Sequence, residues 1–173
     1  MTIRWTDRTT PPALPTRPAR TGASPGTVDV WIAPAVEARV LAHLGGADVE
    51  RGGLLIGRAF VDPADGRVCQ VLILDSAAAD ESDGTGISLR MGATVWTTAQ
   101  QRLAPDRLIV GWYHSHPGLT AFFSETDRRT QRAFFHHAYS VGWVVDPVLG
   151  QSALFIGPDS RETARCPDPP ADP

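Results

Sequence analysis

The residues best suited to chemistry lie in Tyr113–Pro117, which reads Tyr-His-Ser-His-Pro. His114 and His116 are two positions apart at the end of a predicted strand, where side chains at i and i+2 point to the same face. Pro117 cannot extend an inner strand, so the chain is expected to turn away after it. The two imidazoles should therefore converge on one point.

A carboxylate follows at Asp127, in the first turn of a helix predicted to begin at Ser124. If that turn returns to the imidazoles, two nitrogens and one oxygen meet. Three protein ligands with an open fourth position are typical of catalytic zinc, whereas a closed structural site needs a fourth protein ligand. No cysteine lies near this segment. The sequence therefore predicts a catalytic Zn²⁺, one per chain, bound by His114, His116 and Asp127.

Each part of this pattern also has an ordinary structural explanation. The run Ser124–Asp127 is a capping box ahead of a helix, and an isolated His-Ser-His can be a surface turn. Ser124 can cap the helix and still donate a hydrogen bond, so its two interpretations are compatible. The metal prediction rests on the joint occurrence of these residues and not on any one of them.

Amide hydrolysis also requires a group that takes a proton from water and returns one to the leaving amine. Glu50 is the candidate, at the start of the run Glu-Arg-Gly-Gly-Leu-Leu-Ile-Gly between a predicted helix and a predicted strand. By residue type alone, a Glu after a helix is more often a solvated surface residue. Ser124 is suited to donate a hydrogen bond to the developing oxyanion.

These residues resemble the JAMM (MPN+) family of JAB-domain zinc metalloproteases. The family pattern is a distant Glu, then His-(Ser/Thr)-His-Pro, then a Ser and an Asp at fixed spacing. Seven residues separate His116 from Ser124 and two separate Ser124 from Asp127, as in the family, and the Gly-Leu-Leu-Ile-Gly run after Glu50 is also similar. The resemblance implies a zinc-dependent isopeptidase or peptidase with Glu50 as its base.

The resemblance also implies a substrate class. Family members commonly cut after the C-terminal glycines of ubiquitin or ubiquitin-like proteins. The short chain is similar to bacterial and archaeal stand-alone members, some of which belong to bacterial ubiquitin-like conjugation systems, including antiviral defence operons. The implied partners are a ubiquitin-like protein or its conjugates, with activating or conjugating-like enzymes of the same operon. Two alternatives stay open: a protease of ubiquitin-like sulfur carriers, and a non-catalytic scaffold or binding module.

By the same resemblance, substrate recognition falls in the insertion between the third strand and the second helix, at about residues 76–91. A ubiquitin-like tail is extended and would be held there as an added strand. The insertion carries Asp80, Glu81 and Asp83, which we predict attract a basic residue of the tail. A solvated acidic loop explains each of them as well.

Three aromatic or imidazole side chains near the motifs have simpler explanations. Phe122 and Phe123 immediately precede Ser124. We interpret both as packing residues, which could also wall the substrate groove. His43 lies near the end of the first predicted helix, where an imidazole suits the helix dipole, and we interpret it as structural.

The elements expected to position these residues alternate between strands and helices. Apolar periodicity predicts strands at 28–32, 52–60, 68–74, 108–113, 141–145 and 152–156, and helices at 35–44, 94–103 and 124–138. This pattern predicts the α+β class, with one MPN/JAMM domain over residues 28–157 and a central, mostly antiparallel sheet flanked by helices. Residues 1–27 are expected to form a disordered or extended arm. Residues 158–173 are expected to form an unstructured, proline-rich tail.

Size, charge and composition exclude several other classes. The 173 residues suit one domain with one core. A formal net charge of −3 without a basic stripe makes nucleic acid an unexpected partner. No segment is apolar enough to span a bilayer, and the first residues lack the apolar stretch of a secretory signal. Cys69 and Cys166 lack metal-site spacing and do not predict a disulfide framework. A cytoplasmic protein is expected.

Overall fold

The computed structural model describes residues 13–24, 26–46, 48–79 and 92–168. Across these residues, seven strands in one sheet and three helices confirm the predicted α+β class. In chain order the elements are β1 (Asp29–Ile32), α1 (Pro34–Leu44), β2 (Gly52–Val61), β3 (Val68–Ala78), α2 (Ala93–Gln101), β4 (Leu108–Ser115), α3 (Glu125–Phe134), β5 (Val141–Asp146), β6 (Gln151–Ile156) and β7 (Arg161–Thr163).

The sheet has the strand order β1-β3-β2-β4-β5-β6-β7. β1 runs parallel to β3 and β4 runs parallel to β5, while the other four neighbouring pairs are antiparallel. The prediction of a mostly antiparallel sheet is therefore confirmed. A parallel pair needs a crossover connection, and between β4 and β5 that connection contains α3. The crossover explains why α3 returns to the end of β4.

Helix α1 covers one face of the sheet. Pro34 stands in its first turn, where a missing N–H costs nothing. Val36, Val40 and Leu44 recur at a spacing of four residues and are all buried, so they form one apolar stripe. This stripe packs into the larger core cluster, between the helix and the sheet.

The opposite face packs against α2 and the segments around α3. Val95 and Ala99 of α2 share a second core cluster with Trp112 of β4. Tyr113, the next residue of β4, belongs to the α1 side. Because side chains alternate along a strand, His114 lies on the same face as Trp112. The face that carries the histidines is therefore the one over which α3 crosses.

The C-terminal segment corrects the prediction of an unstructured tail over residues 158–168. Residues 161–163 pair with β6 as β7. The chain then reaches β1, where the Thr163 hydroxyl donates to the Val28 carbonyl at 2.9 Å and the Cys166 N–H donates to the Val30 carbonyl at 2.8 Å. These contacts join the two outer strands of the sheet. They are long-range contacts, which the local alternation of apolar and polar side chains does not indicate.

The residues before β1 also contact the sheet. Arg17 N–H donates to the Val61 carbonyl at 2.9 Å, and the Val61 N–H donates to the Pro15 carbonyl at 3.0 Å. Residues 15–17 thus lie beside the end of β2, and the nature of the whole N-terminal arm stays a prediction. No helix in the described ranges is long and apolar enough to cross a membrane.

Several element boundaries differ from prediction, and three of these differences lie near the candidate site residues or the predicted insertion. α3 ends at Phe134 instead of residue 138, because Phe135 leaves helical geometry and becomes buried. β3 continues to Ala78 instead of residue 74, so the first residues of the predicted insertion form strand. They do so because residues 76–78 pair with residues 53–55 of β2. β4 extends to Ser115, which brings the strand to the position between the two histidines.

Candidate metal centre

The end of β4 brings both motif histidines to one point. His114 and His116 are 2% and 4% exposed, and their Nε2 atoms lie 3.2 Å apart. The His114 ring stacks on Trp112 with 4.4 Å between centroids and 8° between planes. The stacking fixes the direction of the ring, so the convergence expected from the i, i+2 spacing is present.

The first turn of α3 brings Asp127 to the same point. Its Oδ1 lies 3.2 Å from His114 Nε2 and its Oδ2 lies 3.5 Å from His116 Nε2. The predicted capping box is also present: Asp127 N–H donates to Ser124 Oγ at 3.2 Å, and Ser124 N–H donates to Asp127 Oδ2 at 2.7 Å. One carboxylate therefore closes the helix cap and faces both imidazoles.

The donor set fits a small divalent cation. The ligand atoms of His114, His116 and Asp127 all lie within 4.8 Å of one another. Zinc–ligand bonds of about 2.0–2.1 Å in a tetrahedron separate the ligands by about 3.3 Å. The observed separations of 3.2 to 3.5 Å are close to that value. The group could thus hold a metal ion.

The charges of the group also suit a cation. Burial acts to raise the pKa of Asp127, but hydrogen bonds from His114 and His116 outweigh it and hold the pKa far below its usual range. Burial acts to lower the pKa of His116, and the Asp127 and Glu50 carboxylates reverse the direction and raise it. A bound metal would compete with protons for these groups, because ligands bind a metal in their deprotonated form.

Glu50 lies beside this group and outside it. Its Oε1 is 3.8 Å from His116 Nε2, and its side chain is 20% exposed. Burial raises the pKa of Glu50, and the negative charge of Asp127 adds to the rise, while the two histidines oppose it. A carboxyl group with a raised pKa next to an ion site is suited to accept and return a proton.

Gln131, which is fully buried in α3, was not among the residues predicted from the sequence. Its Oε1 accepts from Trp112 Nε1 at 2.7 Å, and its Nε2 donates to the carbonyls of Ser140 and Gly157 at 2.9 and 3.2 Å. Gln131 lies one turn after Asp127 on the same face. Its bonds therefore hold that face of α3 against β4. The only signal was the spacing of four residues from Asp127.

The two phenylalanines before Ser124 have different environments. Phe123 is 5% exposed and stacks on Phe155 with 4.2 Å between centroids. It lies so close to Gly142 that a Cβ there would come within 2.1 Å of its ring, so its contacts are packing contacts. Phe122 is 46% exposed, and its ring centroid is 5.0 Å from that of His116. A role in walling the groove stays a prediction for Phe122.

The remaining residues of interest lie elsewhere. Asp80, Glu81 and Asp83 fall outside the described residues, so their attraction for a basic substrate tail stays a prediction. His43 Nδ1 is 3.0 Å from the Tyr113 hydroxyl. That contact ties the end of α1 to β4 and fits the structural interpretation of His43.

Comparison with known families agrees with this geometry. Residues 33–153 match the model of prokaryotic homologs of the JAB domain, and this span contains Glu50, both histidines and Asp127. The chain belongs to the JAB-domain family. The resemblance inferred from the motifs is thereby confirmed at the level of the family.

Named relatives of this JAB domain include proteasome subunits. Ubiquitin carboxyl-terminal hydrolase RPN11 of Saccharomyces cerevisiae is 31% identical over 136 residues, covering 75% of this chain and 42% of RPN11. The 26S proteasome non-ATPase regulatory subunit 14 of Drosophila melanogaster is 32% identical over 156 residues, covering 78% and 48%. NAD(+) hydrolase TcpA of a Theionarchaea archaeon is 32% identical over 105 residues, covering 60% and 29%. The chain spans less than half the length of each of these relatives.

Proposed function

We propose that this JAB domain is a zinc-dependent isopeptidase or peptidase that cleaves after the C-terminal glycine of a ubiquitin-like protein. The reaction would release the protein from conjugates or trim its precursor. One observation carries the proposal: Glu50 Oε1 lies 3.8 Å from His116 Nε2, beside a three-ligand group that it does not join. The name of RPN11, a ubiquitin carboxyl-terminal hydrolase, supports the substrate class. We further propose a bacterial ubiquitin-like pathway as its setting.

In this proposal the ligands and the base have separate roles. His114, His116 and Asp127 hold the ion. Zinc bound there supplies a Lewis acid, which polarises a carbonyl and lowers the pKa of water. Glu50 accepts a proton from the attacking water and passes it to the leaving amine, so that the amine departs neutral.

Ser124 has a role beyond capping α3. Its Oγ accepts a hydrogen bond from Asp127 N–H, and a hydroxyl that accepts still has one proton to donate. The side chain is partly exposed at the edge of the site. It can donate that proton to the oxyanion that develops on the scissile carbonyl.

The test is Glu50→Gln, which keeps the size of the side chain and removes its basicity. We expect the variant to bind zinc and fold as the wild type does, while kcat falls roughly 10²–10⁴-fold. The measurements are zinc content per chain and cleavage of ubiquitin carrying a fluorogenic amide at its C-terminal glycine, with fusions of ubiquitin-like proteins as further substrates.

The matched control is Asp48→Asn, which neutralises an exposed carboxylate two residues earlier and should leave kcat unchanged. Cleavage by Glu50→Gln at the wild-type rate would show that another residue acts as the base. One zinc per chain with no cleavage of any ubiquitin-like fusion would instead favour the non-catalytic scaffold.

A further inference from the structure

The segment that carries Glu50 is attached to β4 through the residue between the two histidines. The last pair of the β2–β4 ladder is Gly52 with His114, so Arg51 and Ser115 are the next opposite positions. Ser115 N–H donates to the Arg51 carbonyl at 2.9 Å, as a ladder requires. The Arg51 N–H, however, donates to Ser115 Oγ at 3.0 Å. A side-chain hydroxyl thus accepts the final hydrogen bond of the ladder.

This hydroxyl is well suited to hold a backbone segment. Ser115 is fully buried and, by alternation along the strand, its side chain points away from the face of the two imidazoles. Its Oγ also lies 3.5 Å from the Arg51 carbonyl oxygen, so it contacts both peptide groups of Arg51. The bond is partly buried, and an N–H that loses its acceptor away from water is costly, which favours this bond.

The bond fixes the part of the chain that aims Glu50. The Arg51 N–H belongs to the peptide unit that directly follows Glu50, so its hydrogen bond restricts the ψ angle of Glu50. The same segment is held on its other side, where Arg51 Nη1 donates to the His43 carbonyl near the end of α1 at 3.1 Å. These two attachments hold the backbone from which the Glu50 side chain extends toward His116.

We propose that Ser115 is a positioning residue that holds Glu50 against the metal group. The inference rests on the proposed function, since it requires Glu50 to be the base. The proposal also gives a reason for the serine between the two histidines. The histidines face the metal group from one side of β4, while the Ser115 hydroxyl holds the segment of Glu50 from the other side. Small misplacements of a catalytic group cost large factors in rate.

The experiment compares Ser115→Ala with the conservative variant Ser115→Thr. In the zinc-loaded protein, acting on ubiquitin with a fluorogenic C-terminal amide, Ser115→Ala should lower kcat roughly 10–100-fold. KM and the zinc dissociation constant should stay within about twofold, because the ligands and the groove are not altered. Ser115→Thr should recover most of kcat, because it restores the hydroxyl acceptor.

A second measurement does not depend on turnover. Amide hydrogen exchange of Arg51, followed by NMR in the zinc-free protein, should accelerate at least tenfold in Ser115→Ala and stay slow in Ser115→Thr. Unchanged Arg51 exchange in Ser115→Ala overturns the proposal, whatever the activity. The matched control is Ser160→Ala: Ser160 is also buried, and its hydroxyl has no partner within the described residues, so kcat and Arg51 exchange should not change.

A double-mutant comparison separates this proposal from the proposed function. If Ser115 acts through Glu50, adding Ser115→Ala to Glu50→Gln should produce no further loss of kcat. A full additional loss in that background would assign Ser115 another role. Wild-type turnover by Glu50→Gln alone contradicts the proposed function, whereas wild-type turnover by Ser115→Ala contradicts only the inference about Ser115.

Discussion

At the scale of single residues, Asp127 combines two roles that proteins usually divide. Its carboxylate accepts from Ser124 N–H and, at the same time, faces the imidazoles of His114 and His116. An aspartate at this position of the capping box is short enough to satisfy the helix start while remaining buried against β4. The start of α3 and the site therefore depend on the same pair of residues.

Ser124 allows the cap and the oxyanion donor to be separated. Ser124→Ala loses both, whereas Ser124→Gly keeps a residue that is well tolerated at an N-cap. We expect the free energy of unfolding to fall by about 1 kcal/mol for Ala and a few tenths for Gly. Because neither variant can donate to the oxyanion, kcat should fall roughly 10²-fold in both.

Urea denaturation and kcat measured on the same preparations test this. If Ser124 only caps α3, the Gly variant should turn over at nearly the wild-type rate, and the expected loss of kcat in both variants would be refuted.

At the scale of elements, a polar side chain holds α3 in place. The buried residues of this helix are Asp127 and Gln131. The Gln131 side chain accepts a hydrogen bond from Trp112 on β4. It also donates to the carbonyls of Ser140, just before β5, and of Gly157, just after β6. In a helix with no buried apolar side chain within its bounds, these hydrogen bonds replace the usual apolar stripe.

Replacing Gln131 should therefore affect stability and metal binding together. Gln131→Leu leaves the Trp112 N–H without its acceptor, while the carbonyls of Ser140 and Gly157 each lose one of two donors. The free energy of unfolding of the metal-free protein should therefore fall by about 1–3 kcal/mol. Zinc affinity should also fall, because Asp127 lies on the same face one turn away. Urea denaturation and competition with a chelator measure the two effects.

The control for α3 is Arg132→Gln, on the exposed face, where the ion pair with Glu125 spans 3.3 Å in solvent. It should change the free energy of unfolding by less than about 0.5 kcal/mol. Equal zinc affinity in the wild type and Gln131→Leu would show that the Gln131 hydrogen bonds are not needed to place Asp127 at the metal group.

A second buried carboxylate organises the loops beside the site. Asp146, at the end of β5, is fully buried. Its two oxygens accept four backbone N–H groups, at 2.8 to 3.0 Å, from two loops: those of Gly118, Thr120, Val148 and Leu149. The loop that follows the second histidine is thereby tied to the β5–β6 turn.

This arrangement predicts an acid-dependent loss of stability. Burial acts to raise the pKa of Asp146, but the four backbone donors outweigh it and lower the pKa to about 2. A carboxyl whose pKa is depressed in the folded state stabilises that state above its ordinary pKa of about 3.9, and the contribution is lost as pH falls toward 2. Asp146→Asn should be less stable than the wild type at pH 7, and the gap should narrow between pH 4 and 2.

Thermal denaturation of both proteins across this pH range, in the presence of chelator, is the measurement. If the midpoints of the wild type and Asp146→Asn differ by the same amount at every pH, the Asp146 charge does not stabilise the fold as proposed.

These elements show which features the sequence can reveal. The meeting of His114 and His116 follows from strand periodicity, and α1 follows from its apolar stripe, because both are local patterns. Glu50 becomes the preferred base only through the family resemblance, because residue type alone favours a solvated position. The contact that holds its segment joins Arg51 to Ser115, 64 residues away. Gln131 is missed because its only local signal is the spacing of four residues from Asp127, and its three hydrogen-bond partners lie outside α3.

At the scale of the whole molecule, residues 161–166 cover edges of the sheet that would otherwise be open. An outer strand with unpaired N–H and C=O groups is a template for association. Here β7 pairs with β6, and the residues that follow it reach β1, so that Cys166 is buried beside Trp31, Phe60 and Leu72. The link between Thr163 and Val28 joins residues 135 positions apart, which is why a proline-rich tail gives no hint of it.

Ending the chain after Asp159 tests whether this segment is structural. The truncated protein loses the β6–β7 ladder, the bonds from Thr163 and Cys166 to β1, and the burial of Cys166. At about 0.5–1.5 kcal/mol for each hydrogen bond, the free energy of unfolding should fall by roughly 3–6 kcal/mol. Exposed edges should also promote aggregation.

The control is Arg161→Ala, which changes an exposed side chain on β7, keeps the backbone pairing and should change the free energy of unfolding by less than about 0.5 kcal/mol. Urea unfolding and light scattering distinguish the two chains, and an unchanged midpoint after truncation would make the segment dispensable to the fold.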